Sequence, residues 1–383
     1  MNDSTNKNGR TKVCMLTTAH AARDVRIYEK EAISLAEAGY DVTIVVPHDR
    51  DEKLGAIQVR GVARPNGRMQ RMTETVWQVY RKGVAVGADV YHFHDPELIP
   101  VGALLKASGK RVVYDVHEDV PRDILVKDWI AMPLRKVAAT GAEAAHYFSS
   151  MVFDGIVAAT PTIAARFPGH RTVTVQNFPR VTAVERTDSR PYAGRPNRAI
   201  HLGLVDRYRG ARQMVQAISV LPGLLRPQLL LAGRFDPPEL ERELKAISGP
   251  ERLEVRGWVS RESVNDLLQE AKVGLALAQP WQAYAESQPN KLFEYMAAGL
   301  PVVASDFPVW REIVATANCG LLVDPSDARA IADAMLWIFE HPDEAEEMGQ
   351  RGVAEVRSRY NWKNEEAGFL DLYARLGNGR HAH

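Results

Sequence analysis

The chain has 383 residues, of which 45% are hydrophobic and 25% are charged, and its 48 basic and 48 acidic residues balance to a formal net charge of zero. This length exceeds what one ordinary hydrophobic core holds, so we expect two domains with the composition of a globular protein. The absence of a basic excess excludes a protein that binds nucleic acid through bulk positive charge.

The cysteine content and the first residues of the chain indicate the cellular compartment to expect. The two cysteines, Cys14 and Cys319, fall in strand-like segments of opposite halves, so a disulfide framework is not expected. The first ten residues are polar and lack the apolar core of a signal peptide. No apolar run reaches the ~20 residues of a membrane span. We therefore expect a reduced, cytoplasmic protein.

Strand and helix patterns alternate through the first half of the chain. Buried strands are predicted at 12–17 and 41–47, with an amphipathic helix at 27–38 between them. This is a β-α-β unit of the doubly wound type. The loop at 18–26 has no G-x-G-x-x-G, which argues against a dinucleotide oxidoreductase.

A basic stretch follows at 53–87, where Glu74 is the single acid. Its apolar residues recur at helical spacing beside Arg68, Arg71 and Lys82. One interpretation is a core helix with a solvated basic face. The other is a surface for an anionic membrane or for a lipid-diphosphate acceptor.

Histidines mark the next two predicted strands. In 89–96, alternation places His92 and His94 on one face beside Asp95, but no further ligand is evident and we predict no metal site. The strand at 111–117 leaves His117 and Glu118 at its carboxyl end, where open α/β sheets bind ligands. A capping or core histidine is the alternative for His117.

The composition changes at 181–198, where prolines, a glycine and polar residues without an apolar period predict a linker. Alternation then restarts with a strand at 198–203, a helix at 210–220 and a strand at 228–234. Arg207 and Arg209 precede that helix, where a diphosphate would be bound by the helix start and by basic side chains.

The most informative stretch is 284–305, which lies between predicted strands at 273–278 and 300–304. Its centre is a helix that begins near Pro289 and ends at Gly299, with Lys291 and Glu294 on one face and Glu286 just ahead. The helix start and Lys291 suit an anion, and the two acids suit sugar hydroxyls. An ordinary surface pair with a solvated loop acid is the alternative.

The order of these residues resembles a known signature. Glu286 and Glu294, eight positions apart within E-S-Q-P-N-K-L-F-E-Y-M-A-A-G-L-P-V-V-A-S, resemble the motif of retaining nucleotide-sugar glycosyltransferases of family four, which have the GT-B fold. The resemblance implies that Glu286 faces the donor hexose and that Glu294 holds the nucleotide ribose. Ser287, Asn290 and Lys291 belong to the same implied donor site.

Other segments are similar to this family. H-F-H-D-P followed by V-Y-D-V-H-E-D resembles a bacterial polysaccharide-type subgroup, in which the histidine at the position of His117 approaches donor sugar and acceptor. Arg209 matches the phosphate-binding cation, whereas Leu204 replaces the usual Arg after Gly203, which leaves Arg207 and Arg234 as substitutes. At the end of the strand at 253–259, Trp258 and Val259 contact the nucleotide base by resemblance. Simple packing of Trp258 is the alternative. The Gly-Gly pair common in the first loop is missing.

The expected fold is α/β of GT-B type, with two Rossmann-like, doubly wound parallel-sheet domains facing across a cleft. We assign 1–180 to an acceptor-binding domain, 181–198 to the linker, 199–359 to a nucleotide-sugar-binding domain and 360–383 to a helix that crosses back to the first domain. The expected catalytic residues are Glu286, His117 and Lys291.

The expected function is transfer of a hexosyl-type sugar from a nucleoside diphosphate sugar to a hydroxyl acceptor, with retention, in cell-surface polysaccharide or glycoconjugate synthesis. No metal and no cofactor are predicted, because we assign no Asp-x-Asp pair to a divalent ion. A lipid-linked acceptor and peripheral contact with the inner face of an anionic membrane are open options. The alternatives are a GT-B-type epimerase or phosphorylase and a non-catalytic sugar-nucleotide-binding protein.

Overall fold

The computed structural model describes residues 10–125, 130–180, 191–281, 285 and 287–378. The chain forms two compact units, of which unit 1 contains Met1–Asn177 and Trp362–His383 and unit 2 contains Phe178–Asn361. Residues 181–190 of the predicted linker lie outside the described residues, and so does Glu286 of the central motif.

Unit 1 is built on one sheet. Its strands are β1 Lys12–Leu16, β2 Asp41–Pro47, β3 Glu52–Leu54, β4 Ile57–Val62, β5 Val90–Phe93, β6 Arg111–Val116, β7 Gly155–Ala158 and β8 Thr172–Thr174. Across the sheet they follow the order β3-β4-β2-β1-β5-β6-β7-β8. The described pairs are parallel except for β3, which is antiparallel to β4.

Helices connect these strands. They are α1 Ile33–Glu37, α2 Arg68–Gln70, α3 Val76–Val86, α4 Ile99–Ala107, α5 Val120–Leu125, α6 Met132–Val152 and α7 Pro161–Ala164. A π-helical segment, Val25–Ala32, leads into α1, and a second one, Arg71–Thr75, joins α2 to α3. Asp24 caps the first π-helical segment by accepting hydrogen bonds from the backbone N–H groups of Arg26 and Ile27.

The sheet of unit 1 is buried on both faces, as continuous apolar strands predict. In β1, Val13 and Met15 belong to the core on one face, and Cys14 and Leu16 belong to the core on the other. The last helix of the described chain, α15 Trp362–Asn378, packs on the face that contains Val13. Unit 1 is therefore completed by residues from the end of the chain.

Unit 2 has a second sheet. Its strands are β9 Arg198–Leu202, β10 Val205–Asp206, β11 Gln228–Ala232, β12 Phe235–Asp236, β13 Leu253–Arg256, β14 Val273–Ala276, β15 Val302–Ser305 and β16 Gly320–Val323. Six of them form a parallel sheet in the order β13-β11-β9-β14-β15-β16, and β10 pairs with β12. The helices are α8 Ala211–Ser219, α9 Leu240–Ile247, α10 Arg261–Gln269, α11 Asn290–Ala297, α12 Pro308–Ala317, α13 Ala328–Glu340 and α14 Pro342–Ser358.

The predicted fold class, two doubly wound parallel-sheet α/β domains, is confirmed. In unit 2, successive strands are added on one side of β9 as far as β13, and the next strand, β14, then lies on the other side of β9. The same reversal of strand order occurs in unit 1 between β1 and β5. Ligands of open α/β sheets bind at the carboxyl ends of strands at such reversals. No helix within the described residues combines the length and apolarity of a membrane span.

Phe369 on α15 tests whether this helix is an integral part of unit 1. Its side chain is fully buried in the core of that unit. We expect Phe369→Ala to lower the free energy of unfolding by about 3–5 kcal/mol, measured by urea denaturation, because it leaves a cavity. Leu224→Ala, at a side chain that is 98% exposed, is the control. A loss below about 1 kcal/mol for Phe369→Ala would contradict the assignment.

Candidate functional site

A cavity of about 390 Å³ lies in unit 2 where the strand order reverses. It is lined by the ends of β9 and β14, by the start of α11 and by Trp310 of α12. Six residues predicted for the donor site line it: Gly203, Arg209, Ser287, Asn290, Lys291 and Glu294. Residues that the sequence analysis took from two distant segments therefore line one cavity.

Lys291 lies in the first turn of α11 and is held by a residue that the sequence analysis missed. Its Nζ is 3.1 Å from Nε2 of His201, a buried residue of β9. Nδ1 of His201 is 3.2 Å from the Leu275 carbonyl oxygen, which can only accept a hydrogen. Nε2 is also 3.3 Å from the Leu204 carbonyl oxygen, so it lies between that carbonyl and the Lys291 amine.

The electrostatic environment of Lys291 is unusual for a lysine. Burial, followed by the positive charge of Arg209, lowers the pKa of Lys291 to about 7, although Asp206 and Glu294 act in the opposite direction. Burial and the charge of Lys291 lower the pKa of His201 well below its ordinary value. The basic groups of Lys291 and Arg209 thus repel each other in this cavity, which favours an anionic ligand.

Arg209 is fixed by the turn that precedes α8. The Asp206 carboxylate accepts a hydrogen bond from the Arg209 backbone N–H at 2.7 Å and pairs with its guanidinium. Gly210 follows with φ 72°, and a Cβ there would lie 2.4 Å from the Leu277 carbonyl oxygen. Of the three arginines considered from sequence, Arg209 lines the cavity, whereas Arg207 and Arg234 are exposed and do not.

Two further contacts shape the cavity. Gly203 and Gly233 approach so closely that a Cβ on Gly233 would lie 1.7 Å from the Gly203 carbonyl oxygen. The Trp310 indole Nε1–H donates to the Ser287 carbonyl oxygen at 2.7 Å, which fixes the chain just before α11. Neither Trp310 nor His201 was singled out from the sequence as a residue of the donor site.

Of the remaining predicted donor residues, only some line the cavity. Glu294 lines the cavity one turn after Lys291, whereas Glu286 lies outside the described residues. Trp258 is 84% exposed and Val259 is partly buried, and neither lines the cavity. The packing alternative for Trp258 is wrong, because its ring is in solvent.

A second polar site lies at the carboxyl ends of β1, β5 and β6 in unit 1. There His117 Nε2 is 3.0 Å from Oδ2 of the fully buried Asp115. Arg26 binds the same carboxylate with Nε at 2.9 Å and Nη2 at 2.8 Å. Burial alone would raise the pKa of Asp115, but the Arg26 charge holds it well below its ordinary value. Asp115 is therefore ionised.

His20, which the sequence analysis also missed, lies against His117. Their rings meet edge to face with centroids 5.2 Å apart. Nδ1 of His20 is 3.3 Å from Asp24 and Nε2 is 3.6 Å from Asp95. Burial would lower the pKa of His20, but the hydrogen bond to Asp24 and the charge of Asp95 raise it above its ordinary value. Two imidazoles thus share this edge of the sheet.

The histidine pair seen in the sequence belongs to a buried cluster with different partners. The rings of His92 and His94 stack with centroids 4.5 Å apart, as alternation predicted. Glu31, His92, His94 and Asp115 are close enough in the described structure to hold a metal ion. However, the Arg26 guanidinium, with Nε 3.0 Å from Glu31 and bonded to Asp115, already supplies a positive charge there.

Asp95 is not part of that cluster. Asp95 instead accepts hydrogen bonds from Thr17 and Thr18. An Asp-x-Asp pair, Asp49 and Asp51, lies just after β2. The carboxylates of this pair bond to basic side chains, with Arg64 on Asp49 and with Arg60 and Lys82 on Asp51.

Two family models match the chain. A glycosyl transferase 4-like domain matches residues 29–177, and a model described as glycosyl transferases group 1 matches residues 196–341. Together they span well over half of the sequence. The chain belongs to the family-four glycosyltransferases. The resemblance inferred from the central motif is thereby confirmed.

This glycosyltransferase is similar to curated relatives over most of its length. A phosphatidyl-myo-inositol mannosyltransferase of Mycolicibacterium smegmatis is 26% identical over 359 residues, which cover 88% of this chain and 86% of the relative. The D-rhamnosyltransferase WbpZ of Pseudomonas aeruginosa is 26% identical over 296 residues, which cover 75% of this chain and 73% of the relative.

Solved structures show the GT-B fold of this glycosyltransferase. A sucrose-phosphate synthase of Thermosynechococcus elongatus superposes with a TM-score of 0.75 at 20% identity, covering 97% of this chain and all of that one. WaaG, a glycosyltransferase of lipopolysaccharide biosynthesis, gives a TM-score of 0.73 at 15% identity, covering 94% of this chain and 99% of that one.

The environment of Lys291 predicts a pH dependence of stability. Because its folded pKa of about 7 lies below that of an unfolded lysine, the unfolded state binds more protons above pH 7, and stability rises with pH in this range. Relative to Lys291→Met, the wild type should gain about 1 kcal/mol or more in unfolding free energy between pH 7 and pH 9.5. Urea denaturation measures this difference.

Lys245→Met, on an exposed residue of α9, is the matched control for that comparison. An unfolding free-energy difference between wild type and Lys291→Met that stays constant from pH 7 to pH 9.5 would contradict the electrostatic account of the cavity.

Proposed function

We propose that this glycosyltransferase moves a hexosyl-type sugar from a nucleoside diphosphate sugar to a hydroxyl acceptor, with retention of configuration, in the synthesis of cell-surface polysaccharide or glycoconjugate. The observation that carries the proposal is the unit 2 cavity, where Arg209 and Lys291 converge at the start of α11. A diphosphate is the ligand whose charge and size suit this arrangement.

The diphosphate is proposed to bind between the two cations. The first backbone N–H groups of α11 have no partners within the helix and carry the positive end of its dipole. Arg209 and Lys291 add charge that an anion stabilises, and binding of a diphosphate restores the ammonium form of Lys291. The same groups stabilise the negative charge that develops on the leaving phosphate, where loss of one such donor costs about 3 kcal/mol.

The sugar and nucleoside are assigned to the acids of the central motif. Glu294 lines the cavity and is proposed to accept hydrogen bonds from the ribose hydroxyls, and Glu286 from the hexose. Structures of the Anabaena protein HepE with UDP and with UDP-glucose superpose on this chain with TM-scores of 0.70 and 0.72 at 13% identity. These complexes support the choice of a nucleotide-sugar donor.

Metal independence is part of the proposal. Arg209 and Lys291 supply two positive charges on the phosphate side, which is the role that a divalent ion plays in other phosphate chemistry. Retention rests on the resemblance to family four. His117 is proposed to contact a substrate hydroxyl, and no cofactor is invoked.

Substitutions at the cations test the proposed donor site. A thermal-shift screen of nucleotide sugars identifies the donor, and release of its nucleoside diphosphate with acceptor present measures turnover. We expect Arg209→Ala and Lys291→Ala each to lower kcat/KM about 100-fold or more and to weaken UDP or GDP binding in calorimetry. Glu286→Ala should abolish turnover.

Arg212→Ala is the matched control, since Arg212 is an exposed arginine of α8 paired with Glu243. Full activity in Arg209→Ala or Lys291→Ala would remove the site assignment. Consumption of donor alone, with epimerised or phosphorolysed sugar as product, would favour an epimerase or phosphorylase.

Membrane contact through the segment 68–86 is proposed for a lipid-linked acceptor at the inner face of a cytoplasmic membrane. Val79 is buried in the core, so the core interpretation holds for part of the segment, but Met69 is 77% exposed and Met72 51% exposed. Arg81 lies over the exposed Trp77 ring at 5.7 Å. Exposed apolar side chains beside basic ones suit an anionic lipid surface.

Vesicle sedimentation tests this contact. We expect the protein to sediment with vesicles of phosphatidylglycerol and phosphatidylcholine more than with phosphatidylcholine alone, and Met69→Glu with Met72→Glu to remove the difference. Leu224→Glu, at an exposed apolar residue of unit 2, is the control and should leave sedimentation unchanged. Equal binding to both vesicles would end the membrane proposal.

A further inference from the structure

The contact between Asp115 and His117 links a buried ion pair to a side chain at the edge of the unit 1 sheet. Asp115 is fully buried, whereas the side chain of His117 is 19% exposed. The two residues are separated by Val116, which ends β6. The imidazole is therefore partly exposed to solvent, whereas the carboxylate is not.

The geometry decides which nitrogen of His117 carries the hydrogen. Nε2 is 3.0 Å from Asp115 Oδ2, and a carboxylate oxygen of an ionised acid can only accept. A lone pair on Nε2 at this distance would face a negative oxygen in a buried setting, which is unfavourable. Nε2 is therefore the donor. Nδ1 is then the unprotonated nitrogen of the neutral ring.

His94 does not offer an alternative donor arrangement. Its Nδ1 is 3.2 Å from Asp115 Oδ2 and 3.3 Å from His117 Nε2. If His94 donated to His117 Nε2 instead, the carboxylate would lose two hydrogen bonds and would face the lone pair of His117 Nε2. Both imidazoles therefore donate to the shared oxygen of Asp115.

Asp115 is held rigidly enough to fix the ring. The Arg26 guanidinium binds both carboxylate oxygens, and its Nη1 donates to the Val175 carbonyl oxygen at 2.8 Å. Arg26 itself lies at the start of the π-helical segment that Asp24 caps. The carboxylate is thus bound from two sides, by Arg26 and by the histidines, in a fully buried position.

We propose that Asp115 is a positioning residue, which fixes His117 in the tautomer with hydrogen on Nε2 so that Nδ1 accepts a hydrogen bond from a substrate hydroxyl. The inference rests on the proposed glycosyl transfer for the identity of the substrate. A histidine that accepts from a hydroxyl through one nitrogen and donates to a carboxylate through the other orients that hydroxyl and increases its nucleophilic character. Asp115 acts only through His117.

Ring-nitrogen NMR tests the tautomer without turnover. In protein labelled with ¹⁵N at histidine, the resonances absent from His117→Gln identify His117. At a pH where the ring is neutral, we expect its Nε2 shift in the range of a protonated nitrogen and its Nδ1 shift in the range of an unprotonated one. The reverse assignment, or an equal mixture, would overturn the inference.

A double-mutant cycle tests the consequence for transfer. We expect Asp115→Asn to lower kcat/KM at least about tenfold in the wild type and to have no further effect in the His117→Gln background, since Asp115 acts through that ring. An equal fold loss of kcat/KM from Asp115→Asn in both backgrounds would overturn the inference. Asp154→Asn, whose carboxylate accepts from Val112 N–H at the other end of β6, is the matched control.

These measurements distinguish a loss of folding from a loss of the proposed role of Asp115. Loss of the Arg26 partner destabilises Asp115→Asn, so its thermal unfolding is recorded alongside its kinetics, and the wild-type NMR result stands if the variant unfolds. A wild type that transfers no sugar from any nucleotide sugar would overturn the proposed function. A wild-type Nδ1–H tautomer would overturn the role of Asp115.

Discussion

The repulsion between two cations in one partly buried cavity is the interaction on which the unit 2 site depends. Arg209 and Lys291 are brought together by a turn after β10 and by the first turn of α11. Burial and this repulsion lower the pKa of Lys291 to about 7. In the proposed function, the negative charge of a diphosphate offsets this repulsion, and the basic groups that bind it are already in place in the folded unit.

Unit 1 also contains buried charges, but there they neutralise each other. Its charges are already paired, since Asp115 and Arg26 form a bidentate ion pair at full burial. Breaking such a pair leaves an uncompensated charge and is strongly destabilising. The two units therefore differ: unit 2 places two basic side chains in one cavity, and unit 1 uses an internal ion pair to hold histidines in place.

The fold was accessible from sequence because its signals are local. Apolar runs with flanking glycines and prolines mark the parallel strands, and Lys291 and Glu294 face one side because three residues make nearly one helical turn. The missed residues depend on contacts that sequence spacing does not reveal. His201 is 90 positions from Lys291, and Arg26 is 89 positions from Asp115, so only the folded sheet brings each pair together.

The position of α15 has a consequence for how the protein is made. Unit 1 takes its fully buried Phe369 from the last helix, and the Tyr373 hydroxyl on the same helix lies 2.8 Å from His92 Nδ1. During synthesis the ribosome delivers all of unit 2 before this helix emerges. The first half of the chain, although translated first, therefore acquires its complete core last, after the second unit has had time to fold.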